Sequence, residues 1–284
     1  MSKDNGKISN LAGKIAVVTG GGGVLCGEMA RELGNYGVKV AVLNRGVDKG
    51  EKVAEAIRAA GGEAFAKACN VLVEKDLQAA ATEIKKRWGG IDILVNGAGG
   101  NDPRASTSEE IFDRAATSPV KSAFFDLDPQ GFREVFDLNF MGSFLPSQVF
   151  VPLMLGRPGA TIVNVSSMSA YAPMTKVPAY SAAKAAINNF TQWMAVHFAE
   201  AGLRVNAIAP GFFSTDQNKK LLWNPDGSPS ARTQKIIQHT PMRRLGEAKD
   251  LVGTLIWLCD NEASGFVTGA VIPVDGGFMA YSGV

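Results

Sequence analysis

The sequence has little that would support metal, disulfide or Ser-His chemistry. Its 284 residues hold three cysteines, Cys26, Cys69 and Cys259, which form no CxxC pair and no Cys/His metal spacing. Only two histidines are present, His197 and His239, and His197 lies in an apolar helical run that reads as packing. An excess of charge of one sign is also missing. Against 29 Lys and Arg stand 27 Asp and Glu, and a net charge of +2 argues against nucleic acid or an anionic membrane as the main partner. The runs Lys85-Lys86-Arg87 and Lys219-Lys220 are short and read as solvated helix faces. No apolar stretch approaches the roughly 20 residues that span a bilayer, and the first ten residues carry no apolar signal core. The expectation is a cytoplasmic globular protein, in which 46% hydrophobic residues are ample for one large α/β core.

Short β-branched runs alternate with helical periods along almost the whole chain. Strands are expected over 14–19, 38–43, 64–68, 91–96, 161–166, 203–209 and 270–274. Helices are expected over 24–36, 48–60, 74–88, 130–155, 178–200 and 247–258. Continuous apolar strands are buried on both faces, the mark of a parallel sheet, and the β/α alternation implies a doubly wound α/β fold. The reading is one domain over residues 1–284 with a mostly parallel seven-stranded sheet. Two stretches break the rhythm, near 100–129 and 212–241. Both follow expected strands, so both belong at the carboxyl edge of the sheet, where such folds bind ligands.

The first strand runs into Thr19-Gly20-Gly21-Gly22-Gly23-Val24-Leu25-Cys26-Gly27, and a helix follows. Consecutive glycines let the backbone turn tightly and approach a pyrophosphate, while the helix N-terminus offers free N–H groups. A flexible hairpin is the plainer reading, but four glycines between a buried strand and an amphipathic helix are poor hairpin material. The G-x-G-x-x-G spacing is not met; Gly21, Gly23 and Cys26 come closest. The motif points to a Rossmann-type dinucleotide site.

Tyr180-Ser181-Ala182-Ala183-Lys184 begins a helix after a Pro-marked turn, with Tyr180 and Lys184 four apart on one face. A nearby ammonium favours the phenolate, so Lys184 is expected to lower the Tyr180 pKa and make it an acid or base near neutral pH. Ser166-Ser167 ends the preceding strand at the same edge and can hydrogen-bond a substrate oxygen. A lone Tyr-x-x-x-Lys is usually a surface pair. Its weight comes from its company.

Taken together, these motifs resemble the short-chain dehydrogenase/reductase family over essentially the whole chain. The family's T-G-x3-G-x-G falls on Thr19, Gly20, Val24 and Cys26, and its N-N-A-G on Asn96-Gly97-Ala98-Gly99. Asn139 in Asp137-Leu138-Asn139, Ser167, Tyr180 and Lys184 match the catalytic tetrad, and Pro210-Gly211 with Thr215 match the segment after the sixth strand. The resemblance implies that Tyr180 exchanges the proton and Ser167 positions the carbonyl or hydroxyl. It implies that Lys184 also binds the nicotinamide ribose and that Asn139 holds a water for proton relay. The cofactor set it implies is Gly20, Gly22, Gly23, Val24, Leu25, Asn44, Arg45, Asn70, Val71, Asn96, Gly97, Ala98, Tyr180, Lys184, Pro210, Gly211, Phe213 and Thr215. Three departures stand out: Val24 and Cys26 replace glycines, Gly97 replaces the second Asn, and Asn70 replaces the usual acidic residue.

The second strand ends in Leu43-Asn44-Arg45, without the carboxylate that repels a 2′-phosphate, so NADP(H) is expected over NAD(H). For the substrate, the stretch 101–129, Met168-Ser169-Ala170-Tyr171 and the tail 275–284 resemble the family's D-mannonate oxidoreductases (fructuronate reductases). That subgroup implies D-fructuronate and D-mannonate; another polar ketone or a 3-oxoacyl thioester is the alternative. A non-catalytic dinucleotide sensor is a third reading, but a sensor has no chemical need for the intact tetrad. A sugar acid needs a cation or a cluster of N–H donors opposite Tyr180. Lys176 is the best candidate, with Arg104, Asn218, Lys219 and Arg243 behind it. The family is often tetrameric, and the apolar segment 267–284 fits subunit packing in a homotetramer or, equally well, a buried last strand.

Overall fold

Alternate burial along the strands decides the architecture. In the computed structural model, which describes residues 10–113, 123–215 and 219–283, seven strands form: β1 (Ile15–Thr19), β2 (Lys39–Asn44), β3 (Ala64–Ala68), β4 (Ile93–Asn96), β5 (Thr161–Val165), β6 (Arg204–Pro210) and β7 (Val271–Val274). They make one sheet in the order β3-β2-β1-β4-β5-β6-β7. Every pairing is parallel, so the sheet is wholly rather than mostly parallel. On β1, Ala16 and Val18 enter one core while Ile15 and Val17 enter the other. That period of two needs apolar cover on both faces.

Helices supply the cover. Helices α1 (Val24–Asn35) and α2 (Val47–Ala59) pack with a later helix on the Ala16/Val18 face. Helix α3 (Glu74–Trp88) lies opposite, joined there by α5 (Gly142–Phe150) and α6 (Pro178–His197). Helix α4 (Pro129–Phe136) starts at Asp128, whose carboxylate accepts from the Gln130 and Gly131 N–H groups. The second insertion contributes α7 (Lys219–Leu222) and α8 (Ala231–His239); α9 (Val252–Cys259) completes the first face, followed by the short α10 (Asn261–Ser264).

One expected helix is broken. Over 130–155 the chain forms α4, a π turn (Asp137–Met141), α5 and a 3-10 turn (Val151–Leu153). The helix expected from 247 opens instead as a 3-10 turn, Ala248–Leu251. His197 is exposed rather than packed inside, stacking on Trp193 with ring centres 4.7 Å apart.

Connections leave β1 and β4 toward opposite sides of the sheet, which opens a crevice at their carboxyl ends. Both insertions lie beyond that edge. Among the described residues no helix is long and apolar enough to cross a membrane, and no group of three His, Cys, Asp or Glu could hold a metal.

Candidate active site

The turn after β1 is shaped by what it touches. Gly20 has φ +64°, and a Cβ there would lie 3.0 Å from the Ala98 nitrogen and the Gly97 carbonyl. The Thr19 hydroxyl accepts from the Gly97 N–H at 3.0 Å and the Ala98 N–H at 3.3 Å, locking the ends of β1 and β4 together. A Cβ on Gly22 would come within 2.8 Å of the Lys49 Cβ. Gly23, with its N–H donated to the Gly20 carbonyl at 2.9 Å, precedes α1, and no side chain caps that helix. A cradle that side chains would fill, opening on an uncapped helix N-terminus, fits the pyrophosphate of a dinucleotide. Val24 and Leu25 form the first turn of α1, both half-buried.

Two of the three departures from the family pattern turn out to be one. A Cβ on Gly97 would sit 2.2 Å from the Cys26 sulfur, a distance at which something must give. The larger side chain at 26 therefore requires the smaller residue at 97. Burial pushes the Cys26 thiol up to about 11, against a smaller opposite pull from Lys184. As a protonated thiol it is a packing group.

The remaining expected cofactor residues divide. Asn44 ends β2 and donates to the Gly46 carbonyl at 3.0 Å, and Arg45 is exposed beside it. Asn70 accepts from the Leu72 N–H at 3.1 Å and donates its own N–H to Asp76 at 3.0 Å, next to buried Val71. Asp76, in the first turn of α3, thus holds the Asn70 backbone. Pro210 ends β6, and a Cβ on Gly211 would lie 2.7 Å from the Asp275 Cα. Thr215 follows, half-buried.

Two side chains face inward. Asn96 is buried and donates to Ser147 Oγ at 3.0 Å and Asn164 Oδ1 at 2.9 Å, tying β4 to α5 and β5. Phe213 is buried with its ring against Gly246, where a Cβ would come within 2.6 Å.

The four reactive residues converge at the ends of β4 and β5. Lys184 is buried on α6 and donates to the Val165 carbonyl at 2.8 Å. Asn139, in the π turn, donates to the carbonyls of Gly100 at 2.7 Å and Val135 at 2.8 Å. A Cβ on Gly99 would meet both, 2.7 Å from Asn139 Oδ1 and 3.4 Å from Lys184 Nζ. Ser166 turns toward α6, donating to Asn188 at 2.5 Å, which leaves Ser167 facing the cleft. Ser167 Oγ accepts from the Ser169 N–H at 3.1 Å and the Ser169 hydroxyl at 3.0 Å. With both lone pairs engaged, its own O–H is left to donate. Sequence reasoning missed Ser169 as the residue that aims Ser167, and Thr19 as the clamp of the cradle. The Thr19-Gly20 pair was the available signal for the second.

Titration differs from the expectation. Burial holds the Tyr180 phenol above its ordinary value, while a hydrogen bond from Ser167 pulls it down. Burial also lowers Lys184 to about 8. The ammonium lies 5.6 Å from the centre of the Tyr180 ring. Counting its charge alone omitted desolvation, which penalises phenolate and ammonium alike.

The proposed substrate cations fare differently. Arg104 pairs with Asp102 at 2.8 Å, Asp128 at 3.4 Å and also Glu134, so its guanidinium is engaged by three carboxylates. Lys176 is half-buried on the rim and donates to the Ser108 carbonyl at 2.5 Å, leaving two of its three N–H groups. Arg243 is exposed and donates to the Gln238 carbonyl at 2.6 Å. Asn218 lies outside the described residues, and Lys219 begins α7.

Comparison with known proteins agrees with this geometry. Residues 14–225 match the family model of the short chain dehydrogenases. UxuB of Bacillus subtilis, an uncharacterised oxidoreductase, is 59% identical over 97% of this chain and 98% of its own. The 7alpha-hydroxysteroid dehydrogenase of Escherichia coli K12 is 33% identical over 94% of both chains. A solved structure from Haemophilus influenzae, a protein provisionally named a D-mannonate oxidoreductase and holding NAD, is 49% identical with a TM-score of 0.93, covering 97% of this chain and 98% of that one. With the cradle, the reactive cluster and these matches in agreement, the chain belongs to the short-chain dehydrogenase family, as an NAD(P)-dependent oxidoreductase acting on CH–OH groups.

Proposed function

We propose that the protein interconverts D-fructuronate and D-mannonate, with Tyr180 as the group that gives and takes the proton. The observation that carries the reaction is the convergence of Ser167, Tyr180, Lys184 and Asn139 beside the glycine cradle. The substrate is supported by the name of the Haemophilus relative. When bound, the nicotinamide supplies or accepts the hydride. Gly20, Gly22, Gly23, Val24, Leu25, Gly97, Ala98 and Gly211 would hold the dinucleotide by backbone and close approach, with Asn70 and Val71 near the base and Lys184 and Thr215 at the nicotinamide end.

In reduction, Tyr180 gives its phenolic proton to the developing alkoxide, and the Ser167 O–H, aimed by Ser169, holds the same oxygen. The phenolate that results is stabilised by the nearby Lys184 ammonium. Protons return from solvent through Lys184 and a water beside Asn139. A phenol held above its ordinary pKa stays protonated at neutral pH, which suits reduction; oxidation needs the phenolate, so its rate should climb with pH through the alkaline range.

For the cofactor, Asn44 places no carboxylate against a 2′-phosphate and exposed Arg45 can pair with one. We therefore read NADPH as preferred, although the Haemophilus relative holds NAD. We further read the protein as a cytoplasmic homotetramer: Trp193 and Val196 on α6, and Phe266, stay 56%, 81% and 104% exposed in one chain.

The test is a rate screen with NADPH and NADH against D-fructuronate, neutral ketoses, simple ketones and 3-oxoacyl thioesters. D-Fructuronate should give the highest kcat/KM, and a better neutral ketone or thioester overturns the substrate. Arg45→Ala should lower kcat/KM for NADPH about tenfold and spare NADH, as expected for one lost charge-assisted contact. A wild-type preference for NADH refutes the cofactor reading.

A further inference from the structure

The two insertions meet over the cleft at one carboxylate. Glu110 in the first insertion pairs with Lys235 of α8 in the second, at 2.5 Å. Lys235 holds the Glu110 carboxyl below its usual range, with smaller contributions from Lys176 and Arg232. These three cations come from two separate elements: Lys176 from the segment between Ser167 and Tyr180, Arg232 and Lys235 from α8. Lys176 is itself fixed to the first insertion, since its carbonyl accepts from the Thr107 N–H at 3.0 Å and its ammonium donates to Ser108. Glu110 lines a cavity of about 220 Å³ that extends to Thr175 and Pro178, and Pro178 is two residues from Tyr180.

Two cations held beside one carboxylate, Lys235 paired with Glu110 and Lys176 bonded to the Ser108 carbonyl two residues before it, form an anion site occupied from within. Glu109 and Asp113 also line the cavity. Glu110 and Lys235 are 42% and 59% exposed along their side chains. An ion pair so exposed contributes only about 0–1 kcal/mol, so an incoming carboxylate can take Glu110's place at little cost. Exchange of one carboxylate for another leaves no cation unpaired. Arg104 offers no such exchange, because its three carboxylates come with one cation.

We propose that Lys176 and Lys235 are the subsite for the carboxylate of an acidic sugar substrate, and that Glu110 fills it when no substrate is bound. The assignment rests on the keto-acid reading above and adds residues to it. Glu110 then acts as a built-in competitor: substrate acids must displace it, and uncharged ketoses have nothing to displace it with. Selectivity for acids comes from α8 as much as from the rim beside Tyr180.

Steady-state kinetics with D-fructuronate and its uncharged counterpart D-fructose test this in wild type, Lys235→Gln, Lys235→Arg and Glu110→Gln. Lys235→Gln should raise KM for the acid about tenfold relative to any change in kcat, and Lys235→Arg should recover most of it. Glu110→Gln should act in the opposite sense, lowering KM for the acid severalfold. If both Gln variants shift acid and ketose alike, leave KM for the acid in place, or move it in the same direction, the subsite is overturned while the keto-acid reading stands on the wild-type rates. If wild type reduces no keto-acid at all, the functional reading fails and takes the subsite with it. Both side chains lie largely in solvent, so loss of folding is not a competing outcome.

Discussion

Thr19, Asn139, Ser167 and Lys184 are all under 7% exposed, and each already has hydrogen-bond partners within the protein. Above the same cleft, Arg104, Glu110 and Lys235 lie 42–59% exposed along their side chains and are held by ion pairs, Glu110 and Lys235 to each other. The floor is built so that no polar atom needs to reorient when chemistry begins, which is what electrostatic preorganisation requires. The roof is built from contacts that exchange cheaply with solvent or ligand. On the proposed reading, reaction type and substrate choice are separated in space.

The sharpest way to break that division is at Tyr180. Tyr180→Phe should cost about 10²–10⁴ in turnover on every substrate, because general acid–base help is lost whatever the roof selects. Cofactor binding, followed by nicotinamide fluorescence, should remain. Turnover near wild type would end the assignment.

Next in size is the burial of Lys184. Folded, it titrates near 8 against an ordinary 10.5. Below pH 8 it is charged in both folded and unfolded states, and burying that charge costs on the order of 3 kcal/mol. The cost fades as pH rises from about 8 to 10.5, where the folded state sheds the proton first. Lys184→Met should therefore be more stable than wild type at pH 6–8, with the gap closing toward pH 10.5. Urea unfolding at several pH values measures it; a gap that ignores pH contradicts it.

The Cys26/Gly97 pair predicts a coupled effect. Gly97→Asn should destabilise by about 1–3 kcal/mol through overpacking and weaken dinucleotide binding. Adding Cys26→Gly should return much of that, even though a helical glycine itself costs about 1 kcal/mol. A double-mutant cycle reads the coupling, and simple additivity would show that the two side chains do not meet.

The smallest effect belongs to the roof. Arg104→Met should change kcat/KM for D-fructuronate less than about twofold, as expected of an exposed ion-pair network. A tenfold loss confined to acids would move the carboxylate contact back to Arg104.

These contrasts also mark what could be read along the chain. The strands, the cradle and the reactive cluster follow from local patterns: apolar runs, Thr19-Gly20, and Tyr180 and Lys184 on one helical face. What escaped was set by neighbours distant in sequence. Arg104 shows a charge, but its partners Asp102, Asp128 and Glu134 are scattered over more than thirty positions. Glu110 and Lys235 are separated by 125 residues, and nothing in either segment announces the other. The rise in Tyr180's pKa comes from burial, which a spacing of four residues does not encode. Phe213 and Asn96 were placed by motif position, which fixes the backbone and leaves open where the side group points.

The π turn at Asp137–Met141 carries a constraint on length. A π turn accommodates one more residue than the α-helix it interrupts. Asn139 stands inside it, and Ser143 and Ser147 follow at spacings of four: Ser143 Oγ donates to the Asn139 carbonyl at 3.3 Å and Ser147 Oγ to the Ser143 carbonyl at 2.8 Å. Ser147 in turn receives the Asn96 amide, so one ladder of small polar groups joins the reaction site to the centre of the sheet. Deleting a single residue from the turn would leave a better helix, yet each residue is worth about 100° of rotation. The hydroxyls would swing away from Asn96, or Asn139 from Gly100. Homologous chains can lengthen their loops freely, but this stretch should keep its residue count even where its residue types drift.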